Sequence, residues 1–461
     1  MKPLIKKPSF FKFPFKKKTD KLPQSALPKV RSKELPGKES AKLAAELKRF
    51  ECPQITFQGG VFPVFIKRAQ ACNLFDVDGN RYLDLTSAFG VASLGHGHPA
   101  VLRAMREQSQ KMMHGLGDVH PNDVKVALAR RLAEITPGNL SQTIFSSTGF
   151  EAVESALKTA VMHTKKTGVI SFTGAYHGLG YGTLSVTHRE DFKKPFLKQL
   201  GGFAHQAAFP NARELGDKAS QLAMKSVEKV FKKAKKSKHP VGAVLIEPLQ
   251  GRGGVVPAPP DFLKALRAFC DQEKILLIAD EVFTGFGRTG SLFAVEKSGI
   301  IPDIMCLGKG LGNGFPISAC IGSMRVMYSW GVSTGDAVHT STFLGNPLGC
   351  AIGLAVIAEL EKSKLVDRSK AMGEAFRKEL WKLKEKYPLI ADIRGSGLMI
   401  GMELPSADKA RQFVREAMLK GLVVLPSGPD HNVIQLSPPF ILSEKEIQHC
   451  AAAFDKIFSK L

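Results

Sequence analysis

Ile275-Leu-Leu-Ile-Ala-Asp280-Glu-Val-Phe-Thr-Gly-Phe-Gly-Arg-Thr-Gly290 is the stretch on which the fold turns. Its first five residues are apolar without alternation, as in a strand buried on both faces. Asp280 ends that run and a glycine-rich turn follows. The same grammar recurs on either side. Val241-Gly-Ala-Val-Leu-Ile246 ends in Glu247-Pro-Leu-Gln-Gly-Arg252-Gly-Gly254, and Asp303-Ile-Met-Cys-Leu307 ends in Gly308-Lys309-Gly310. Residues 142–146 and 168–172 add two more such runs, with helical periodicity near 101–113, 122–135 and 151–165. Buried strands alternating with helices predict an α/β fold: a large domain with a mostly parallel sheet sandwiched by helices.

The flanks differ from this centre. Residues 41–50 are helical in pattern, and 61–67, 72–76 and 81–85 read as short strands closed by Gly95-His96-Gly97-His98-Pro99. Beyond 335, helical patterns at 347–362, 366–386, 407–419 and 443–459 alternate with strands at 397–403, 421–425 and 432–436. The expected organisation is a basic, disordered tail (1–40), a segment of a small domain (41–100), a large domain (101–335) and a C-terminal small α/β domain (336–461) packed with 41–100.

Composition excludes whole classes of protein. With 44% hydrophobic and 23% charged residues over 461 positions, the chain has a sizeable core and is not globally disordered. No apolar run approaches the ~18 residues of a membrane span. The seven cysteines are scattered and never C-x-x-C, so neither a disulfide framework nor a zinc ribbon is expected, and a reducing, cytoplasmic compartment fits. The net charge of +23 is local. Residues 1–40 carry twelve basic and three acidic side chains, and residues 218–239 carry eight lysines and one glutamate. The second run has apolar residues at helical spacing and predicts a surface helix with a solvated basic face. The first is Lys-rich and broken by prolines, unlike a secretory or mitochondrial leader. Beyond a solvated tail, its phenylalanines and lysines suit weak contact with an anionic membrane or nucleic acid.

In a parallel sheet, ligands gather at the carboxyl ends of strands. Asp280 ends a buried strand and therefore wants a cation or strong donor; alone it could equally cap a loop. Lys309 sits between glycines after another buried strand, where desolvation lowers an ammonium pKa and frees a nucleophile or base; alone it could be a lysine of a surface turn. Gly308–Gly314 lacks the Ser or Thr of a phosphate-binding Walker loop. Together, Asp280 and Lys309 suit a pyridine cofactor, which needs an amine to condense with its aldehyde and an acid facing the ring nitrogen. Ser146-Ser-Thr-Gly149-Phe150-Glu151 lies between a strand and a helix and offers free N–H groups to a phosphate, or ordinary hydroxyl capping. Tyr176, in Tyr176-His177-Gly178, offers an aromatic plate to a ring, or core packing.

These residues resemble the class-III aminotransferases of fold type I, which use pyridoxal phosphate. The likeness spans about 70–445 and rests on Ile278–Gly290, Pro302-Asp303, Leu307-Gly-Lys-Gly310, Ser341-Thr342-Phe343 and Gly345-Asn346-Pro347. The resemblance implies that Lys309 binds the cofactor and carries the proton, and that Asp280 holds the pyridine nitrogen. It places Val282 and Tyr176 on either side of the ring, Gly149 and Phe150 at the phosphate, and Glu247 near the cofactor. Thr342 would reach the phosphate of a neighbouring subunit in a homodimer. Arg394 would bind the substrate carboxylate, unless it makes a structural ion pair. The implied activity is ping-pong amino transfer from an amino acid or ω-amino donor to a keto acid such as 2-oxoglutarate or pyruvate. A racemase or aminomutase on the same scaffold is the alternative, and a non-catalytic nucleic-acid or membrane binder is a third reading.

Three positions depart from the family. Phe283 stands where a Gln commonly binds the cofactor's phenolic oxygen. Arg252 stands where a Glu commonly pairs with Arg394; it would bind an anionic ligand beside Arg394, or turn to solvent or another acid. Leu179 follows His-Gly where 4-aminobutyrate and ornithine enzymes often carry Arg.

Overall fold

The computed structural model describes residues 24–461. At its centre are β1 (Leu140–Ser146), β2 (Gly168–Phe172), β3 (Ala204–Ala207), β4 (Val241–Ile246), β5 (Leu276–Asp280), β6 (Ile304–Leu307) and β7 (Ser318–Ser323). They form one sheet in the order β1-β7-β6-β5-β4-β2-β3. Only β7 runs antiparallel to its neighbours, so the expected mostly parallel α/β sheet is present.

Two helical layers cover this sheet, and the strand alternation divides its residues between them. On one face Ala152, Ala156 and Ala160 of α1 (Gly149–Thr164) pack on Leu276, Ile278, Ile304 and Cys306. On the other, Phe262, Leu266 and Cys270 of the helix Pro260–Glu273 and Val227 and Phe231 of the helix Ala219–Ala234 pack on Leu277, Ala279, Met305 and Leu307. The lysine run thus folds as the expected amphipathic helix. The strands β3 and β7 carry weaker sequence signals. Ala204-His-Gln-Ala207 is half polar, and Ser318-Ala-Cys-Ile-Gly-Ser323 is built of small residues.

A second body packs on one side. Ile66–Gln70, Asn73–Asp76 and Arg81–Asp84 form an antiparallel sheet, to which Leu422–Val423 adds in parallel. Asp392–Ser396, Met399–Glu403, Val433–Leu436 and Leu425–Ser427 form another sheet. Cys72, Leu83 and Leu85 share a core with Phe376, Leu380, Phe413 and Phe454, so the N-terminal strands pack with the C-terminal region.

Two expected boundaries shift. The helix Pro347–Lys362, assigned from sequence to the small domain, buries Cys350, Ile352, Val356 and Leu360 in the core of the large sheet. Gly349 and Gly353 allow this, because a Cβ there would lie 3.2 Å from Ile317 and from Leu128 and Leu311. Residues 24–37, counted from sequence in the disordered tail, lie against the first small sheet. Asn73 Oδ1 accepts from Ala26 N (2.7 Å), Asn80 Oδ1 accepts from Arg31 N (2.7 Å), and Leu35 is buried with Tyr82 and Met418. Backbone pairing and a few apolar side chains outweigh the positive charge here. The tail reading for residues 1–23 falls outside the described residues. Among the described residues no helix is long and apolar enough to cross a membrane.

The Phe413 ring is fully buried, 5.1 Å from Phe454 and 5.0 Å from Phe458. Phe413→Ala should cost about 3–5 kcal/mol, read as a lower denaturant midpoint of the C-terminal transition.

Candidate active site

Register places the chemistry. Ala279 of β5 pairs with Ile246 of β4, so the next residues, Asp280 and Glu247, stand side by side. Asp280 itself pairs with Cys306 of β6, three residues before Lys309. Three functional groups thus converge at one sheet edge, where adjacent parallel strands end.

Asp280 is buried and meets two donors. His177 Nδ1 lies 2.7 Å from its Oδ2, and Val282 N donates to Oδ1 at 3.0 Å. Since a carboxylate only accepts, His177 carries its proton on Nδ1. His177 is fixed in turn by its backbone N–H, which donates to Thr187 Oγ1 at 3.0 Å. The sequence reading passed over His177. Its only signal was a histidine at the end of a strand, and the partner lies 103 positions away.

Glu247 is buried too. Its oxygens accept from Tyr176 N (3.0 Å) and Gly251 N (3.1 Å), which ties the Tyr176 loop to the Arg252 loop. Burial raises its pKa, and the Asp280 charge adds to that.

Lys309 follows the strand β6 with φ of +41°, a left-handed conformation that Gly308 and Gly310 make room for on either side. Its Nζ lies 3.9 Å from the centre of the Phe283 ring. Burial pulls the ammonium down from 10.5 to about 8; Asp280 and Glu247 oppose the fall, while Arg252 and Arg288 reinforce it. Near physiological pH a minority of the amine is therefore neutral, far more than for an ordinary lysine, and that form is the nucleophile. Phe283 is a built part of this floor. A Cβ on Gly90 would come within 2.1 Å of its ring and one on Gly251 within 2.6 Å.

At the N-terminus of α1, Glu151 accepts from Ser147 N (3.1 Å) and Thr148 N (2.7 Å), while Ser318 Oγ donates to Thr148 O at 2.6 Å. The N–H groups of Gly149 and Phe150 fall in the first turn, which has no intrahelical acceptors. A Cβ on Gly149 would lie 2.7 Å from Val282 Cγ1, so only glycine lets this helix end approach the strand β5. The site therefore joins Lys309, Asp280, Val282, Gly149, Phe150, Tyr176 and Glu247.

Thr342 is not joined to them in the single chain. It is exposed, although its neighbour Ser341 lines a cavity of about 300 Å³ with Phe150, Glu151 and Tyr181. A larger cleft of about 500 Å³, lined by Arg267, Asp271 and Arg325, opens near Asp303 at the other end of the sheet. The two arginines also part company. Arg394 Nη1 pairs with Asp392 (2.9 Å) and Glu403 (2.5 Å), and its Nε donates to Gly254 O (2.9 Å). The ion pairs expected on the alternative reading of Arg394 are thus present. Arg252 lies on the Tyr176 ring, 4.5 Å from its centre, and among the described residues has no carboxylate partner.

The profile of class-III aminotransferases matches residues 56–458. The chain belongs to the class-III aminotransferase family. This aminotransferase is 36% identical over 415 residues to the 5-aminovalerate aminotransferase of Pseudomonas putida, covering 87% of this chain and 95% of that one. It is 34% identical over 415 residues to the 4-aminobutyrate aminotransferase of Escherichia coli, with 87% and 95% covered. Among solved structures, a transaminase from the marine bacterium Virgibacillus superposes with a TM-score of 0.84 at 27% identity, covering 91% and 98%. An amine transaminase of an uncultivated Pseudomonas species, bound to pyridoxal phosphate, gives 0.82 at 28% identity, covering 89% and 98%. The aminotransferase thus uses pyridoxal phosphate on a type I fold. Its own residues fit that group: a buried lysine with a lowered pKa, a buried acid, and a helix end cleared by Gly149. The matches give the racemase reading no support.

The lowered Lys309 pKa has a stability consequence. Between about 8 and 10.5 the unfolded chain binds the proton that the folded chain has lost, so this lysine's penalty is full below 8 and fades by 10.5. Lys309→Met in the cofactor-free protein should raise the melting temperature at pH 7, with the gain shrinking toward pH 10.5. Thermal unfolding across pH reads both.

Proposed function

We propose that this aminotransferase moves the terminal amino group of an ω-amino carboxylate to a keto acid such as 2-oxoglutarate or pyruvate, by ping-pong turnover. The observation that carries the reading is the meeting of Lys309, Asp280 and Glu247 at adjacent strand ends, with Lys309 readily deprotonated. The relatives whose names specify 5-aminovalerate and 4-aminobutyrate support the donor class.

Pyridoxal phosphate, when bound, supplies an aldehyde and an electron sink at the substrate carbon. Lys309 Nζ would hold it and, once displaced by the donor amine, take the proton from the substrate carbon and return it along the same face. Asp280, oriented by His177 and Val282 N, would keep the ring nitrogen protonated. Val282 and Tyr176 would hold the ring between them, and the Gly149 and Phe150 N–H groups would take the phosphate. Glu247 would act by positioning, since its oxygens hold Tyr176 and Gly251.

The exposure of Thr342 supports a homodimer in which this residue completes the second copy's phosphate site. All seven cysteines are free thiols, which supports a cytoplasmic setting. The basic stretch 1–40 suits weak contact with anionic membranes or nucleic acid.

Borohydride reduction of the reconstituted protein should leave the cofactor mass on the Lys309 peptide, and Lys309→Ala should abolish glutamate formation from 5-aminovalerate and 2-oxoglutarate. An adduct elsewhere would refute the assignment. Asp280→Asn should lower kcat by about 100-fold or more, because the group opposite the developing charge is lost. Racemisation of an amino acid without amino transfer would replace the proposed reaction.

A further inference from the structure

Two loops meet at the mouth of the cleft, each bringing one arginine. The loop after β4 carries Arg252, and the strand Asp392–Ser396 carries Arg394. They are tied together: Arg394 Nε donates to Gly254 O (2.9 Å), Ser427 Oγ donates to Gly251 O (3.1 Å), and Gly428 N donates to Arg252 O (3.1 Å). The two guanidiniums nevertheless have opposite surroundings.

Arg394 is neutralised within the chain. Asp392 and Glu403 both pair with its Nη1, and Glu403 is itself buried and also receives Arg213 Nε at 3.0 Å. A substrate carboxylate arriving at Arg394 would compete with the two acids already on its Nη1. Among the described residues Arg252 has no such partner. It is half-buried and stacked on Tyr176, with Phe192 on the same side at 6.0 Å. The other guanidinium at Phe192 is Arg189, 4.7 Å from that ring; it meets Asp191 at 3.5 Å and His431 at 2.9 Å, and so is already engaged. A guanidinium over an aromatic ring can still give its N–H fork to a carboxylate through two parallel hydrogen bonds. The Tyr176 N–H donates to Glu247, which stands beside Asp280, so the ring under Arg252 is anchored at the strand ends that carry the site.

We infer that Arg252, and not Arg394, receives the substrate carboxylate remote from the reacting amine, which makes Arg252 the residue selecting ω-amino carboxylates over plain amines. The inference rests on the proposed amino transfer. It also gives a use to an arginine where the family commonly has an acid. With Arg394 held by Asp392 and Glu403, no acid is needed at position 252 to pair with it, and the position is released to bind substrate. The influence of Arg252 on the Lys309 ammonium agrees with its closeness to the reacting end.

The test uses the full chain loaded with pyridoxal phosphate, with 5-aminovalerate and pentylamine as donors that differ in the carboxylate, and glutarate as a non-reacting ligand followed by calorimetry. Arg252→Gln should lower the ratio of kcat/KM for 5-aminovalerate to that for pentylamine by about 10- to 100-fold, mainly through KM, and weaken glutarate binding to a similar degree. Arg252→Lys should recover part of both, since it keeps the charge and loses the fork; it also serves if the glutamine variant is poorly folded. Arg394→Gln should lower the melting temperature, because Asp392 loses its partner and Glu403 one of its two, and keep the donor ratio. An unchanged ratio and unchanged glutarate affinity in Arg252→Gln, or a loss of both in Arg394→Gln instead, would overturn the inference. Where pentylamine turns over too slowly, glutarate affinity decides. Failure of the underlying reading looks different: neither donor forms glutamate and borohydride leaves Lys309 unlabelled.

Discussion

A carboxyl group buried at a strand end is the constraint around which the candidate site is built. Asp280 ends a strand whose residues are all buried, and such a charge is tolerable only with strong partners. His177 and the Val282 N–H supply two. The next residue answers the same problem on the opposite face of the strand. Glu281 points into the core, accepts from Val295 N (2.8 Å) and Thr284 Oγ1, and is pushed by burial up to about 7. One acid meets His177 at the candidate site, and the other braces the turn that follows.

Lys309 depends on this arrangement. A desolvated ammonium beside two carboxylates settles where burial slightly outweighs attraction, and its pKa near 8 is the result. Phe283 contributes an aromatic face at 3.9 Å, which favours the cation without adding a hydrogen-bond partner. Gly90 and Gly251 clear the space for that ring, so the phenylalanine is accommodated by two separate loops rather than tolerated as a surface accident.

Charge balance divides the cleft mouth. Arg394, Asp392, Glu403 and Arg213 form a closed network in which each charge meets an opposite one. Arg252 stands outside it, stacked on Tyr176. A simple count of basic residues would treat the two arginines alike. Their neighbours pair one with two acids and leave the other, among the described residues, over an aromatic ring without a carboxylate partner.

Much of this was legible in the chain itself. Continuous apolar runs marked β2, β4, β5 and β6, because strands buried on both faces need apolar side chains at every position. Asp280 and Lys309 stood out as candidates for the same reason, since a charge at the end of such a run needs a purpose or a partner. β3 and β7 escaped notice because half-polar and small residues carry no such pattern, and the helix Pro347–Lys362 was assigned to the wrong core because apolarity alone does not say which sheet it covers. Residues 24–37 hid behind their charge. Only the tertiary structure brought His177 to Asp280, Gly90 to Phe283, and Asp392 and Glu403 to Arg394. These contacts join separate elements, and local pattern reports how a segment meets solvent and core but not which distant side chain it will face.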